Sequence, residues 1–241
     1  MGDNQSDHDP DAPLQLFLGN ITKWGPRVKA HIAATPDVDV WLLLEMHLAG
    51  APLNAARRQV GMLGYRTFAS PAVPTGNLVL DTNVSNCGGE LLAVRKGITS
   101  SSAGLGKHAG WRAVNVRLFG CNVVIIALYL VPGLGAEAVA ENQSRLAALV
   151  HFIKALAVPW LILGDWNATP CEVAQLTATR WISGVVVVPS GPFTCRAPAG
   201  SESRVLDFAV CCGKLYDKLN LAVDWDVPWA PHCGVRISLH D

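Results

Sequence analysis

Leu161-Ile162-Leu163-Gly164-Asp165-Trp166-Asn167-Ala168-Thr169-Pro170 is the stretch whose reading decides the fold. A short apolar run of the kind that forms a buried strand ends in a carboxylate, and a carboxamide follows two residues later. In an extended backbone alternate side chains point the same way, so Asp165 and Asn167 share one face at the strand mouth. An ionised carboxylate only accepts hydrogen bonds, whereas an amide also donates. The pair therefore suits a phosphate ester, with Asp165 handling a proton and Asn167 bonding a phosphoryl oxygen. Pro170, with Glu172 just inside, is a helix-opening signal, so the stretch reads as strand, turn, helix.

Outward from this motif, short apolar runs bounded by Gly, Pro and Asn recur. They predict strands over 14–18, 40–44, 90–94, 113–118, 123–129, 160–163, 184–188 and 205–211. Helical periodicity covers 23–34, 52–62, 135–156 and 171–179. Phe119-Gly120-Cys121-Asn122 is too short for a crossover and predicts a hairpin. Strands outnumber helices, which points to two packed sheets, mixed and largely antiparallel, with helices outside.

The 241 residues, half of them apolar, are enough for one domain with a sizeable core, expected over 14–241. Residues 1–13 carry Asp3, Asp7, Asp9 and Asp11 and no apolar run, the reverse of a secretory signal, and predict a disordered acidic leader. The 19 basic and 19 acidic residues cancel, which excludes a strongly basic nucleic-acid protein, so DNA binding needs a local patch. Arg95, Lys96, Lys107, Arg112 and Arg204 are its candidates. The apolar run 123–131 falls far short of the roughly 20 residues that span a bilayer. Seven cysteines without paired Cys-x-x-Cys spacing imply neither a disulfide framework nor a zinc site. Of the four glycosylation sequons, those at Asn20 and Asn167 fall on candidate site residues, which favours an intracellular, nuclear or cytoplasmic, protein.

Further candidates stand at the ends of other strands. Val40-Trp41-Leu42-Leu43-Leu44-Glu45-Met46-His47-Leu48 is an apolar strand ending in Glu45, and a carboxylate there is costly unless it is paired or binds a cation. Leu16-Phe17-Leu18-Gly19-Asn20-Ile21-Thr22 runs into Asn20, and Ile125-Ile126-Ala127-Leu128-Tyr129-Leu130-Val131-Pro132-Gly133 ends in Tyr129, whose hydroxyl can donate to a phosphate oxygen. Asp207 in Ser203-Arg204-Val205-Leu206-Asp207-Phe208 and His232 in Trp229-Ala230-Pro231-His232-Cys233-Gly234-Val235 supply a carboxylate and an imidazole. A carboxylate on one ring nitrogen fixes the tautomer and turns the other nitrogen to the reaction centre.

These segments, in this chain order, resemble the motifs of the endonuclease/exonuclease/phosphatase superfamily over roughly residues 14–241. The Asp165 stretch resembles its Gly-Asp-(Phe/Trp)-Asn-Ala-x-Pro signature. Likewise the Asn20, Glu45, Tyr129, Asp207 and His232 segments are similar to Trp-Asn-Val-Asn-Gly, Leu-Gln-Glu-Thr-His-Leu, Asn-Val-Tyr-x-Pro, Ser-Arg-Ile-Asp-Tyr-Val and Ser-Asp-His-x-Pro-Val. The stretches from Cys87 to Lys96 and from Pro192 to Arg196 resemble strand segments of the family and serve as register markers. Two departures are Thr22, where many nucleases of the family carry a second carboxylate or amide, and Pro231, where an acid usually precedes the His.

The resemblance implies an α/β four-layered sandwich and a magnesium-dependent phosphodiester hydrolase, with manganese as the other candidate ion. It places Glu45 on the metal with Asn20 nearby, Asp165 on the attacking water, and Asn167 and Tyr129 on phosphoryl oxygens. His232, oriented by Asp207, lies on the scissile phosphate. Tyr129 points to the branch holding abasic-site and retrotransposon endonucleases, hence to a DNA endonuclease of the non-LTR retrotransposon type. The alternatives are a phosphatase or phosphodiesterase of lipid headgroups or inositol phosphates, and a catalytically weakened binding domain, the latter motivated by Pro231 and zero net charge.

Overall fold

The computed structural model describes residues 12–75, 85–105, 110–118 and 120–241. Most of the expected leader, together with Lys107 and Phe119, lies outside the described residues. The first half of the chain forms β1 (Leu14–Asn20), α1 (Pro26–Ala34), β2 (Val40–Leu44), α2 (Gly50–Met62), β3 (Tyr65–Ala69), β4 (Val73–Thr75), β5 (Ser85–Cys87), β6 (Leu91–Arg95), β7 (Ser100–Leu105) and β8 (Trp111–Leu118). It continues with β9 (Cys121–Tyr129), α3 (Ala136–Lys154), β10 (Trp160–Asp165), α4 (Pro170–Gln175), α5 (Thr177–Trp181), β11 (Val185–Val187), β12 (Asp207–Cys211), a 3₁₀ helix (Gly213–Lys218), β13 (Leu219–Asp224) and β14 (Gly234–Leu239).

One six-stranded sheet has the order β13-β14-β1-β2-β6-β3, a second has β11-β12-β10-β9-β8-β7, and β4 pairs with β5 as a separate ribbon. β1 and β2 are parallel across the α1 crossover, and β9 and β10 across α3; the other pairings in the two large sheets are antiparallel. The expected hairpin joins β8 to β9, with Leu118 opposite Cys121.

Strand alternation assigns the layers. Leu16, Leu18, Leu42 and Leu44 of the first sheet meet Val114, Ile125, Ala127, Leu161 and Leu163 of the second in the central core. The other face of the first sheet, with Phe17, Trp41 and Leu43, packs on Val28 and Ile32 of α1 and Ala56 and Val60 of α2. The outer face of the second, with Val124, Ile126 and Ile162, packs on Leu149 and Ile153 of α3 and Val173 of α4. Central strands buried on both faces read as continuous apolar runs, which is why the sequence reveals them. The result is the expected four-layered α/β sandwich.

Several expectations are corrected at the margins. The helix expected over 171–179 is two, α4 and α5, because Leu176 between them takes an extended backbone at φ −59°, ψ 134°. The strand expected from 205 begins at Asp207, and that expected from Glu90 begins at Leu91. Among the described residues no helix is long and apolar enough to cross a membrane.

Candidate active site

Parallel pairing puts the carboxyl ends of β1, β2, β9 and β10 at one edge of the sandwich. Asn20 lies beside Leu44 in register, so Glu45 follows directly, and Asp165 pairs with Tyr129 on one side and Asp207 on the other. β14 runs antiparallel to β1 with Gly234 opposite Gly19, which delivers His232 to the same edge. Close packing depends on Gly164, where any Cβ would run into the Leu128 carbonyl oxygen.

Asp165 is 1% exposed. Its Oδ2 accepts from Asn20 Nδ2 at 2.8 Å and lies 3.8 Å from His232 Nε2, while Oδ1 accepts the Asn167 backbone N–H at 3.0 Å. Burial, then the nearby Asp207 carboxylate, pushes the Asp165 pKa well above the usual carboxylate range. On the other side of the imidazole, Asp207 Oδ2 lies 2.8 Å from His232 Nδ1. Burial alone would lower the His232 pKa, but the charge and hydrogen bond of Asp207 outweigh it and push it up to about 11. The Asp207 contact therefore favours the protonated ring, which lies between two buried carboxyl groups.

Asp207 is itself fixed by a residue the sequence reading treats only as a register marker. Thr194 is fully buried, and its hydroxyl oxygen accepts from the backbone N–H groups of Leu206 and Asp207, each at 2.9 Å. Asp207 Oδ1 is buried without a hydrogen-bond partner.

Asn167 has a positive φ of 45° and commits one amide hydrogen to the Leu130 carbonyl at 2.6 Å, leaving the second. Trp166 turns the other way, stacks on Phe208 and donates to its carbonyl at 3.1 Å, anchoring the motif. Glu45 also has a positive φ, 55°, and its side chain is 17% exposed, 3.6 Å from His47 Nε2. The buried Tyr129 phenol lies beside the Glu45 carboxylate. Burial first, then the Glu45 charge, raises the phenol pKa, so Tyr129 is a neutral donor. Pro231 is exposed, and its carbonyl accepts from Arg196 N–H at 3.1 Å.

All seven candidates therefore line one edge. Asp165, Asp207 and His232 can present ligand atoms within 4.8 Å of one another, and Glu45 is outside that trio, beside Tyr129.

Of the expected basic patch, Lys107 lies outside the described residues and Arg95 and Lys96 are carried away from the site. β6 is antiparallel to β2, so Arg95 and Lys96 sit at the far edge, where Arg95 pairs with Asp39 at 2.9 Å and Lys96 donates to the Gly61 carbonyl at 3.0 Å. Arg112 donates to Ser102 Oγ at 2.8 Å, and Arg204 pairs with Glu172 at 3.3 Å. A groove of about 620 Å3 is lined by Ile21, which follows Asn20, by Ala230, two residues before His232, and by Lys23, Trp24, Arg27 and Trp229. Lys23 and Arg27 are the cations that sequence reasoning missed. Their segment reads as the start of a helix, whereas α1 begins only at Pro26.

No family model matches the chain, and no curated protein matches it. Solved structures do. The chain is similar to the endonuclease domain of TRAS1, a telomere-specific non-LTR retrotransposon, with TM-score 0.62 and 15% identity over 94% of this chain and 98% of that one. The AP endonuclease LMAP from Leishmania major superposes with TM-score 0.68 and 13% identity, covering 99% of this chain and 91% of its own. The 3'-5' exonuclease NExo from Neisseria meningitidis gives 0.66 and 16%, covering 95% and 100%. The fold of this chain is the one these endonuclease/exonuclease/phosphatase proteins share.

Proposed function

We propose that the chain is a divalent-cation-dependent phosphodiesterase whose substrate is DNA. The observation that carries this reading is Asp165, held by Asn20 on one side and 3.8 Å from an imidazole ring that Asp207 fixes on the other. Asp165, with its raised pKa, accepts a proton from the attacking water. Protonated His232 presents Nε2 to the charge that grows on the phosphoryl oxygens, and Asp207 keeps the ring in place. The uncommitted Asn167 amide hydrogen and the Tyr129 hydroxyl supply further donors.

The donor set fits a hard divalent cation. Asp165 and Asp207 bring carboxylate oxygens together with Glu45 at the same strand edge, Asp207 Oδ1 is buried with no partner, and no Lys or Arg among the described residues pairs with Glu45 or Asp165. Glu45 would hold the ion, with the unpartnered Asp207 Oδ1 as a further oxygen donor at hand. A bound magnesium ion would neutralise charge on the phosphate. DNA is favoured by the fold shared with endonucleases and a 3'-5' exonuclease and by Lys23 and Arg27 in the adjoining groove.

The test is a panel of plasmid, abasic duplex, RNA, sphingomyelin and inositol polyphosphate, with magnesium and with chelator. Magnesium-dependent cleavage of DNA is expected. Preferential turnover of sphingomyelin or inositol polyphosphate would replace this reading with the headgroup phosphodiesterase, and no turnover by folded protein with a binding domain.

A further inference from the structure

Glu90 is a fully buried carboxylate that none of the chemistry above uses. It lies just before β6 of the first sheet, yet its Oε1 accepts the backbone N–H of Gly110, just before β8 of the second, at 3.0 Å. Gly110 in turn accepts the Tyr129 N–H at 2.7 Å, and Arg145 Nη1 of α3 donates to the Tyr129 carbonyl at 2.8 Å. Both backbone groups of Tyr129 are thus tied, one through Glu90.

The same turn holds Glu45. Gly89 and Gly88 carbonyls accept the N–H groups of Met46 and His47, each at 3.0 Å, and the Glu90 carbonyl accepts Ser70 N–H at 2.8 Å. Glu90 Oε1 and the Tyr129 ring also face the same side of Gly88, 4.0 and 3.7 Å from where a Cβ would stand. Segment 88–90 therefore braces both Tyr129 and Glu45, which come from different sheets.

A buried carboxyl is expensive and persists only where its contacts outweigh the cost. Here Oε2 and Ser70 Oγ are buried without hydrogen-bond partners, so packing and the Gly110 bond are what fix the group. Burial raises its pKa to about 7, and the Arg145 charge and the Gly110 N–H offset part of that rise.

We propose that Glu90 is a positioning residue: by holding Gly110 across the sheet interface it sets Tyr129 against Glu45 at the candidate reaction centre. The kinetic part of this claim rests on the proposed phosphodiesterase activity; the positional part does not.

The test compares Glu90→Leu, which removes the acceptor at similar volume, with Glu90→Gln, which keeps one. Amide hydrogen exchange at Gly110 and Tyr129 should be faster in Glu90→Leu than in Glu90→Gln by about tenfold or more, with Ile162 in β10 unchanged. On plasmid DNA, kcat should fall about tenfold in Glu90→Leu with KM within about twofold, and Glu90→Gln should recover most of it. In a Tyr129→Phe background the same Leu substitution should cost less than about twofold, because its effect passes through the hydroxyl. Should Glu90→Leu not fold, Glu90→Asp withdraws the oxygen by one methylene and should show the same exchange pattern at about threefold. Equal exchange at Gly110 and Tyr129 in the acceptor-bearing and acceptor-lacking proteins overturns the proposal. So does a kcat loss that persists undiminished in the Tyr129→Phe background. A wild-type protein that cleaves nothing in the panel removes the phosphodiesterase reading, and the exchange comparison then decides the role of Glu90 alone.

Discussion

The Asp207 carboxylate does two things for His232: it orients the ring and holds its proton. Because His232 titrates above its ordinary value of 6.5, its contribution to stability is fully present below that pH and is lost as pH rises through about 11. Asp207→Asn removes the charge that drives the shift. Imidazole resonances in an NMR titration should then show the His232 midpoint falling by several units, and a midpoint that stays put would contradict the assigned cause. The residues of this triangle were legible in the sequence because each ends or opens a strand motif. Thr194 was not, since a threonine in a strand looks like ordinary sheet, and only the fold shows that its hydroxyl accepts two buried amides. Nor could the sequence show that Asn167 spends one amide hydrogen on the Leu130 carbonyl.

At the scale of elements, the loop after β9 is clamped from three sides. Arg145 holds the Tyr129 carbonyl, Asn167 holds that of Leu130, and the Asn142 side chain of α3 pairs with both the N–H and the carbonyl of Val131 at 2.8 and 2.9 Å. Glu90 completes this framework and predicts a pH signature. Its folded pKa is raised from 4.5 to about 7, so the folded state binds the proton more tightly and the group favours folding below about pH 4.5. That contribution is lost as pH rises through about 7, on the order of 3 kcal/mol in total. Denaturant unfolding across that window should show the decline in wild type and a flatter profile in Glu90→Gln; identical slopes would contradict it. The central strands were readable because both their faces are buried. The sequence reading missed β3, β7, β13 and β14, where exposed or polar positions such as Arg66, the serines 100–102 and Asn220 interrupt any apolar run.

For the whole molecule, two parallel strand pairs in facing sheets deliver Asn20, Glu45, Tyr129 and Asp165 to one edge, where antiparallel β12 and β14 add Asp207 and His232. The strand-end motifs and their resemblance to the superfamily's made this constellation legible, but not the surroundings that select a substrate. Arg95 and Lys96 looked like an interface in sequence and belong to the opposite edge, whereas Lys23 and Arg27 border the site. Lys23→Ala with Arg27→Ala should weaken DNA binding and lower the salt slope by about 1 to 2, whereas Lys96→Ala should leave both unchanged. Salt-titrated binding distinguishes the outcomes, and equal slopes in all three proteins would remove the groove from the DNA path.

The central claim is that Asp165 is the proton acceptor of a metal-dependent phosphodiesterase, and Asp165→Asn tests it most directly by keeping the side chain's shape. The decisive measurement is the rate of plasmid nicking in magnesium for wild type and Asp165→Asn, with chelator as control. Wild type should nick in magnesium alone, and the variant should be slower by about two orders of magnitude or more. Equal rates in the two proteins, or nicking that survives the chelator, would contradict the account.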